Sequence, residues 1–306
     1  MAEKPRSSAV TQALGVIGKV LSYLVMVVFA LMTIAPIVWL VISSFKSTTE
    51  IRINRVGLPH AWTPENYPGA WSLGDFGHLI GNSVIYTVGG TLGIITLAIL
   101  AGFAFAKIRN RATPLLYGSF VLGILLSIQS VMVPLFLEVS QLDNLLTMLF
   151  RSIGLLRGGH VNVFYDSRIG VLLIYIGAGL PTAVYLATEY IKGIPYALVE
   201  AARIDGAGYF RIFRWVIVPM SAPIATTVAI LNITNIWNEF ALINILVSKA
   251  GLKSLPLGIF KFSSNLSSDY GKQFAALVIG MAPMLIFYLA FRKQITKGVT
   301  AGAVKG

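Results

Sequence analysis

Residues 20–45 contain no Asp, Glu, Lys or Arg, and the same holds for 112–137, 169–188 and 273–291. A helix needs about 20 apolar residues to cross a bilayer core, so each run is long enough to span lipid. Residues 79–106 form a fifth run with His78 at its edge, and 215–248 a sixth, interrupted only by Glu239. The runs are continuous rather than alternating, and backbone in lipid must satisfy its own hydrogen bonds, so helices are expected rather than strands. Composition agrees, because 56% hydrophobic and 12% charged residues leave more apolar surface than one soluble domain of 306 residues can bury. The expected fold class is therefore an all-α membrane protein with six transmembrane helices. The first run is longer than a signal-peptide core and no small-x-small cleavage site follows it, so it is read as a retained span.

Loop charge sets the expected orientation. With the N-terminus in the cytoplasm, the inner segments carry fourteen basic residues against four acidic ones (Glu3, Glu189, Glu200, Asp205), and the outer segments ten against seven. Lys249, Lys253, Lys261 and Lys272, in the last outer loop, run against the trend. The net charge of +12 is thus explained by topology, and nucleic acid is not expected as a partner. Without cysteine there is no disulfide, thiolate ligand or thiol nucleophile, and His60, His78 and His160 fall in separate outer segments, so no metal site is expected.

Residues 47–78 form an outer loop rich in turn formers and aromatics, read as an ordered segment on the membrane surface. Residues 138–168 form a second, in which LFRSIGLLRGG suggests a short interfacial helix ending at Gly158 and Gly159. The chain has no G-x-x-x-x-G-K-[ST] phosphate loop, so no catalytic residue and no nucleotide site of its own is expected. Nor does it show the threefold P-x-[DE]-x-x-[KR] repeat of six-span mitochondrial carriers.

The inner loop between the fourth and fifth spans reads GIPYALVEAARIDGAGYFRIFRWVIVP from Gly193 to Pro219. Pro195 suits a helix's first turn, and Asp205-Gly206 suits its end because glycine takes the left-handed conformation that closes a helix. A short helix of about three turns follows, then a second basic one from Tyr209 to Trp215. Ala201 and Ala202 are small enough for another protein to approach closely, while Glu200 and Asp205 offer carboxylates. A Glu200–arginine contact across an interface would contribute roughly 1.5–3 kcal/mol. A helix lying on lipid headgroups is the other reading these residues allow.

EAARIDGA at Glu200–Ala207 resembles the E-A-A-x-x-D-G-A loop of permease subunits in binding-protein-dependent ABC importers, with all six specified positions matched. IPYALVEAA around Pro195, WNEF at Trp237–Phe240 and GVTAGAVKG at Gly298–Gly306 are similar to the family's carbohydrate-uptake branch, the maltose-transporter-like components. The resemblance covers nearly the whole chain from the first span onward. It implies a type I importer permease fold in a prokaryotic inner membrane, with both termini cytoplasmic. The inner loop is then a coupling helix docked in a separate ATPase subunit, which holds the ATP and Mg that this chain does not bind. Glu200 would face basic groups there, Ala201 and Ala202 would pack in its cleft, and Asp205, Gly206 and Ala207 would form the turn. The tail, Ala303, Val304, Lys305 and Gly306, would be a second contact, against which terminal disorder stands as the plainer reading. Further partners implied are a second permease subunit of different sequence, two ATPase subunits, an extracytoplasmic solute-binding protein and a sugar. The expected organisation is an N-terminal segment 1–17, a permease domain 18–294 with its coupling loop at 190–218, and a tail 295–306.

Glu239 is the one charge inside an expected span, and such residues face a cavity or a partner. Asn232, Asn235 and Glu239 follow i, i+3, i+7 spacing on one helix face. A sugar shedding water needs such donors and acceptors, but the same groups could bond neighbouring helices or lie at the outer boundary. Gly177, Gly179 and Pro181, and likewise Pro134 and Pro283, suggest kinks or close helix packing. An ion-coupled carrier titrating Glu239 is the alternative function, and a membrane scaffold recruiting a protein through the inner loop the third. The outer stretch 143–168 is longer than the family pattern, which bears on substrate and binding-protein contacts.

Overall fold

The computed structural model describes residues 9–108, 110–155, 158–265 and 269–303. In chain order its helices are α1 (Ala9–Ser43), α2 (Thr48–Ile53), α3 (Asn66–Gly74), α4 (Phe76–Lys107), α5 (Thr113–Ile124), α6 (Ile128–Ser152) and α7 (Arg168–Lys192). The remainder are α8 (Tyr196–Ile204), α9 (Tyr209–Ile212), α10 (Val218–Met220), α11 (Ala222–Trp237), α12 (Ala241–Leu246), α13 (Leu255–Asn265) and α14 (Tyr270–Ala303). Five helices are long and apolar enough to cross a membrane, and α9 to α11, bent by 69° at Ser221, provide a sixth span if counted as one. Six spans is the number expected from the uncharged runs.

Two runs are nevertheless broken. The third, 112–137, is divided between α5 and α6, because Leu125 and Leu126 turn back onto Leu122 and Gly123 and Ser127 takes the extended conformation of an N-cap. α6 then continues through Pro134 and Glu138 to Ser152 and stops before Gly154, at φ +72°. The separate interfacial helix expected within LFRSIGLLRGG is absent among the described residues, since its first four residues are the last turn of α6. The sixth run, 215–248, ends as a span at Trp237, and α12 begins only after Asn238, Glu239 and Phe240. Absence of charge measures compatibility with lipid and carries no information on whether the backbone continues straight.

The chain forms two compact units. The smaller contains residues 1–73 and 263–279. There the segment after α1 is ordered by Asn66, whose amide donates to the carbonyls of Ser44 and Lys46 at 2.9 Å each. The buried Lys46 ammonium donates to Asn54 O at 2.8 Å, and Trp39 packs edge-on against Phe274. The ordered segment expected at 47–78 thus consists of α2, capped by Ser47, and α3.

The larger unit contains residues 74–262 and 280–306. α4, α7 and α11 build its core from Tyr86, Ile94, Ala98, Tyr175, Val184 and Val228 among others. A second cluster at the C-terminal end of α4 joins Ile99, Phe103, Ile191, Ile194, Val199, Ile212 and Ile217. Burial of branched side chains at about 25 cal/mol per Å² holds the α8 segment to the bundle there, since α8 is far too short to be stable alone.

At the N-terminal end of α4 polar groups hold the loops. Asn82 donates to the carbonyls of Gly251 and Lys253, Tyr86 to that of Leu252, and Ser83 Oγ accepts from Leu255 N. The long stretch 143–168 is tied down in the same manner: the buried Asp143 carboxylate accepts from the backbone of Val163, Phe164 and Tyr165, and Thr147 Oγ1 accepts from Val161 N. Asp166, at φ +54°, accepts from Ser248 and Lys249 backbone N–H groups at 3.0 and 2.9 Å. Burial pushes its carboxyl pKa up, but the bonds from Lys249 and Ser248 and the Lys249 charge outweigh that and leave it below the ordinary value.

Candidate functional site

The larger unit carries two candidate sites, one at the C-terminal end of α4 and one beside the stretch of α4 from Tyr86 to Ile94. At the C-terminal end, α8 starts after Pro195 and ends at Asp205, the two boundaries expected from the sequence. Gly206 sits at φ +77°, its N–H bonds to Arg203 O at 3.0 Å, and Ala207 N–H reaches back to Ala202 O at 2.9 Å. This pair of bonds is a Schellman closure, which satisfies the last carbonyls and requires a residue at home in the left-handed region. No heavy atom lies within 4 Å of where a Gly206 Cβ would sit, so glycine is needed here for its backbone and not for space.

Val199, 1% exposed, is the anchor of α8. A second tether comes from Lys107, 6% exposed, whose ammonium donates to Ile194 O at 2.6 Å and, at 3.5 Å, to Lys192 O, and lies 5.9 Å from the centre of the Tyr196 ring. A cation on the carbonyls that end α7 is favoured by the helix dipole as well as by the hydrogen bonds. Sequence reading passed over Lys107 as one of many inner cations; its position as the first charge after a long uncharged run was the available signal.

With Val199 turned inward, Glu200, Ala201 and Asp205 are exposed on the outer side of α8. Ala202 is only half-buried and, with Ala207, packs against the chain's own core cluster. The two alanines therefore differ: Ala201 presents the open surface, while Ala202 lets α8 sit close to its own bundle. Beside them Asp205, Arg211 and Trp215 line a notch of about 250 Å³. The expected second helix is only α9, followed by a π-helical turn at Phe213–Ile217, with Arg203 over the Tyr209 ring and Arg214 over that of Trp215. α14 runs to Ala303; Val304, Lys305 and Gly306 lie outside the described residues.

The second site is a cavity of about 510 Å³ between α6, α7, α11 and α12. Asn232, Asn235 and Glu239 all line it, but not as one helical stripe. Asn232 and Asn235 belong to α11, whereas Glu239 lies in the break after it. Its Oε1 accepts from Leu242 N at 2.6 Å, and Oε2 from Ile243 N at 3.1 Å and the Tyr175 hydroxyl at 2.9 Å. The carboxylate thus supplies acceptors to the first turn of α12, where backbone donors have no partner within the helix. Asn232 is buried and donates to Val228 O; a Cβ on Gly179 would stand 2.4 Å from Ile94 Cδ1 and 2.7 Å from Asn232 Oδ1, so the missing side chain at Gly179 is what makes room for both. Asn235 remains exposed to the cavity, joined there by Gln129 and Asn238. Tyr175 and Gln129 escaped sequence reading, because they reach the cavity from other helices; Asn238 stood within WNEF without a role assigned.

Apolar helices long enough to cross a membrane, with an exposed short helix at one end of α4 and a polar cavity among them, are the architecture of a membrane-embedded protein. The profile of the binding-protein-dependent transport system inner membrane component family matches residues 94–300, and the chain belongs to that family, as a permease subunit of an ABC importer. It is 30% identical over 279 residues to the "Probable starch degradation products transport system permease protein" of Thermoanaerobacterium thermosulfurigenes, covering 91% of this chain and 94% of that one. It is also 30% identical to the diacetylchitobiose uptake system permease protein of Streptomyces coelicolor, covering 93% and 88% of the two chains. In fold it is similar to a chain of a bacterial ABC transporter involved in the import of the acidic polysaccharide alginate, with a TM-score of 0.72, 22% identity and coverage of 95% of this chain and 99% of that one.

Proposed function

We propose that this permease forms half of a translocation path for a sugar or oligosaccharide handed over by an extracytoplasmic binding protein, and that a separate ATPase subunit drives it through α8. The observation that carries this reading is the construction of α8. It is held from behind by Val199 and Lys107, closed by Gly206, and turns Glu200, Ala201 and Asp205 outward. A short helix so held moves as a rigid body with whatever grips it, and a closing ATPase pair would rock the spans between inward- and outward-open states. The carbohydrate names of the relatives and the Asn232–Asn235–Glu239 cavity support a sugar as cargo.

In this reading α8 and both termini face the cytoplasm, in keeping with the bias of basic residues. ATP and Mg belong to two ATPase subunits, a second permease of different sequence completes the path, and the tail from Ala303 is an additional contact. A carrier titrating Glu239 is less favoured, since that carboxylate already serves α12 and Tyr175. The chain has no cysteine, so one introduced at Ala201 is a unique probe. We expect it to cross-link to the ATPase subunit in membranes from cells producing the whole importer. Labelling of Ala201→Cys from outside intact cells, or uptake that persists without the ATPase, would overturn the assignment.

A further inference from the structure

We infer that the cavity bounded by α6, α7, α11 and α12 selects an uncharged, hydroxyl-rich saccharide and discriminates against anionic ones; this rests on the cavity being part of the path proposed above. Its polar lining consists of amides, a phenol and one carboxylate. Asn238 gives its amide N–H to Thr234 O at 3.0 Å and keeps its carbonyl oxygen. Gln129 accepts from the Ser127 hydroxyl at 2.6 Å and keeps its N–H₂. Asn235 is exposed on the cavity wall, and its side chain makes no hydrogen bond among the described residues. Between them these amides offer both donors and acceptors, the complement of a hydroxyl, which is both at once.

The charge of the site points the same way. Glu239 receives three hydrogen bonds, two from backbone N–H groups and one from the Tyr175 hydroxyl, so the fold fixes its carboxyl group in place as an acceptor. Among the described residues that line the cavity there is no Lys, Arg or His. A uronate or sulfonate entering there would meet a carboxylate and no cation, in a setting where water screens charge less than in bulk. Like-charge juxtaposition is a device for rejecting wrong partners. Phe240, stacked edge-on against Phe260 at 4.9 Å, adds an apolar wall suited to the C–H faces of a sugar ring.

The test uses the complete importer in proteoliposomes with its binding protein held constant. Panels of neutral oligosaccharides and of uronate- and sulfonate-bearing ones of equal length serve as probes. Wild type should favour the neutral panel at least tenfold. Asn235→Trp, which fills the cavity, should lower all uptake at least tenfold with the complex still assembled; unchanged uptake overturns the path reading itself, and loss of assembly would make the cavity a subunit interface and overturn both. Asn235→Lys should shift the neutral-to-anionic ratio at least fivefold toward the anionic panel. If Asn235→Trp blocks but wild type prefers anionic saccharides, or Asn235→Lys leaves the ratio unmoved, the path survives and the charge selection is refuted.

Discussion

The two ends of α4 use polar groups in opposite ways. At the C-terminal end the tethers, Lys107 and the Schellman bonds, sit behind and at the tip of α8, and its carboxylates at Glu200 and Asp205 are left facing outward. Toward the N-terminal end, where Asp75 stays exposed, three carboxylates are turned inward: Asp143 holds 163–165, Asp166 holds 248–249 and Glu239 holds α12. The first arrangement leaves charge available to another protein at the cost of little burial for α8 itself. The second converts charge into loop rigidity around a cavity whose remaining free groups are neutral amides. Under the proposed function the first surface would grip a moving partner and the second would pass a cargo without holding it tightly, and these are different demands on the same residue types.

Substitutions can break this contrast at either end. The largest effect is expected from Val199→Asp, which puts an unpaired carboxylate into the second core cluster at a cost of at least about 3 kcal/mol. The detergent-solubilised chain should lose most of its thermal stability, and α8 should become protease-sensitive first. Lys107→Met keeps the apolar stem but removes the donor from Ile194 O, costing about 1.5–3 kcal/mol. Lys107→Arg should recover part of that, and hydrogen exchange at 194–199 should report the loosening. Gly206→Val forces a β-branched residue to φ +77° and should cost about 1–2 kcal/mol. Because a Cβ meets nothing there, Gly206→Asn, tolerant of the left-handed region, should restore both the helix end and ATPase-coupled uptake.

The smallest effect is expected at the other end. Asp166→Asn should cost about 1 kcal/mol, since the Lys249 partner is largely exposed and its charge is screened. The Asp166 pKa is depressed in the fold, so its contribution is fully present above the ordinary aspartate pKa of about 3.9 and disappears as pH falls through the lower folded value. Exchange protection at 246–249 should therefore be flat from pH 8 to 5 in wild type, and uniformly reduced in the variant.

The number of spans and the ends of α8 were legible in the sequence because each depends on local chemistry. Long uncharged runs are read by lipid, and Pro195 and Gly206 act through their own backbone restrictions. The alanine pair was legible as small but not as divided in duty, because whether Ala201 or Ala202 faces the core depends on how Val199 is seated. The assignment of Glu239 to a helical stripe assumed that α11 continues past Trp237. The break at 238–240 arises with α12 and Tyr175 present to receive the carboxylate, 64 residues apart in the chain in the case of Tyr175.

Alone, then, the sequence determined a membrane protein of six apolar spans with a short, glycine-closed helix in one loop, since hydrophobicity and backbone preference belong to each residue wherever it lies. The tertiary structure decided which side of that helix is open, that Lys107 holds it, and that Gln129, Tyr175, Asn235, Asn238 and Glu239 meet around one cavity. Those are properties of distances between residues remote in the chain, and distance of that kind is set only when the helices pack.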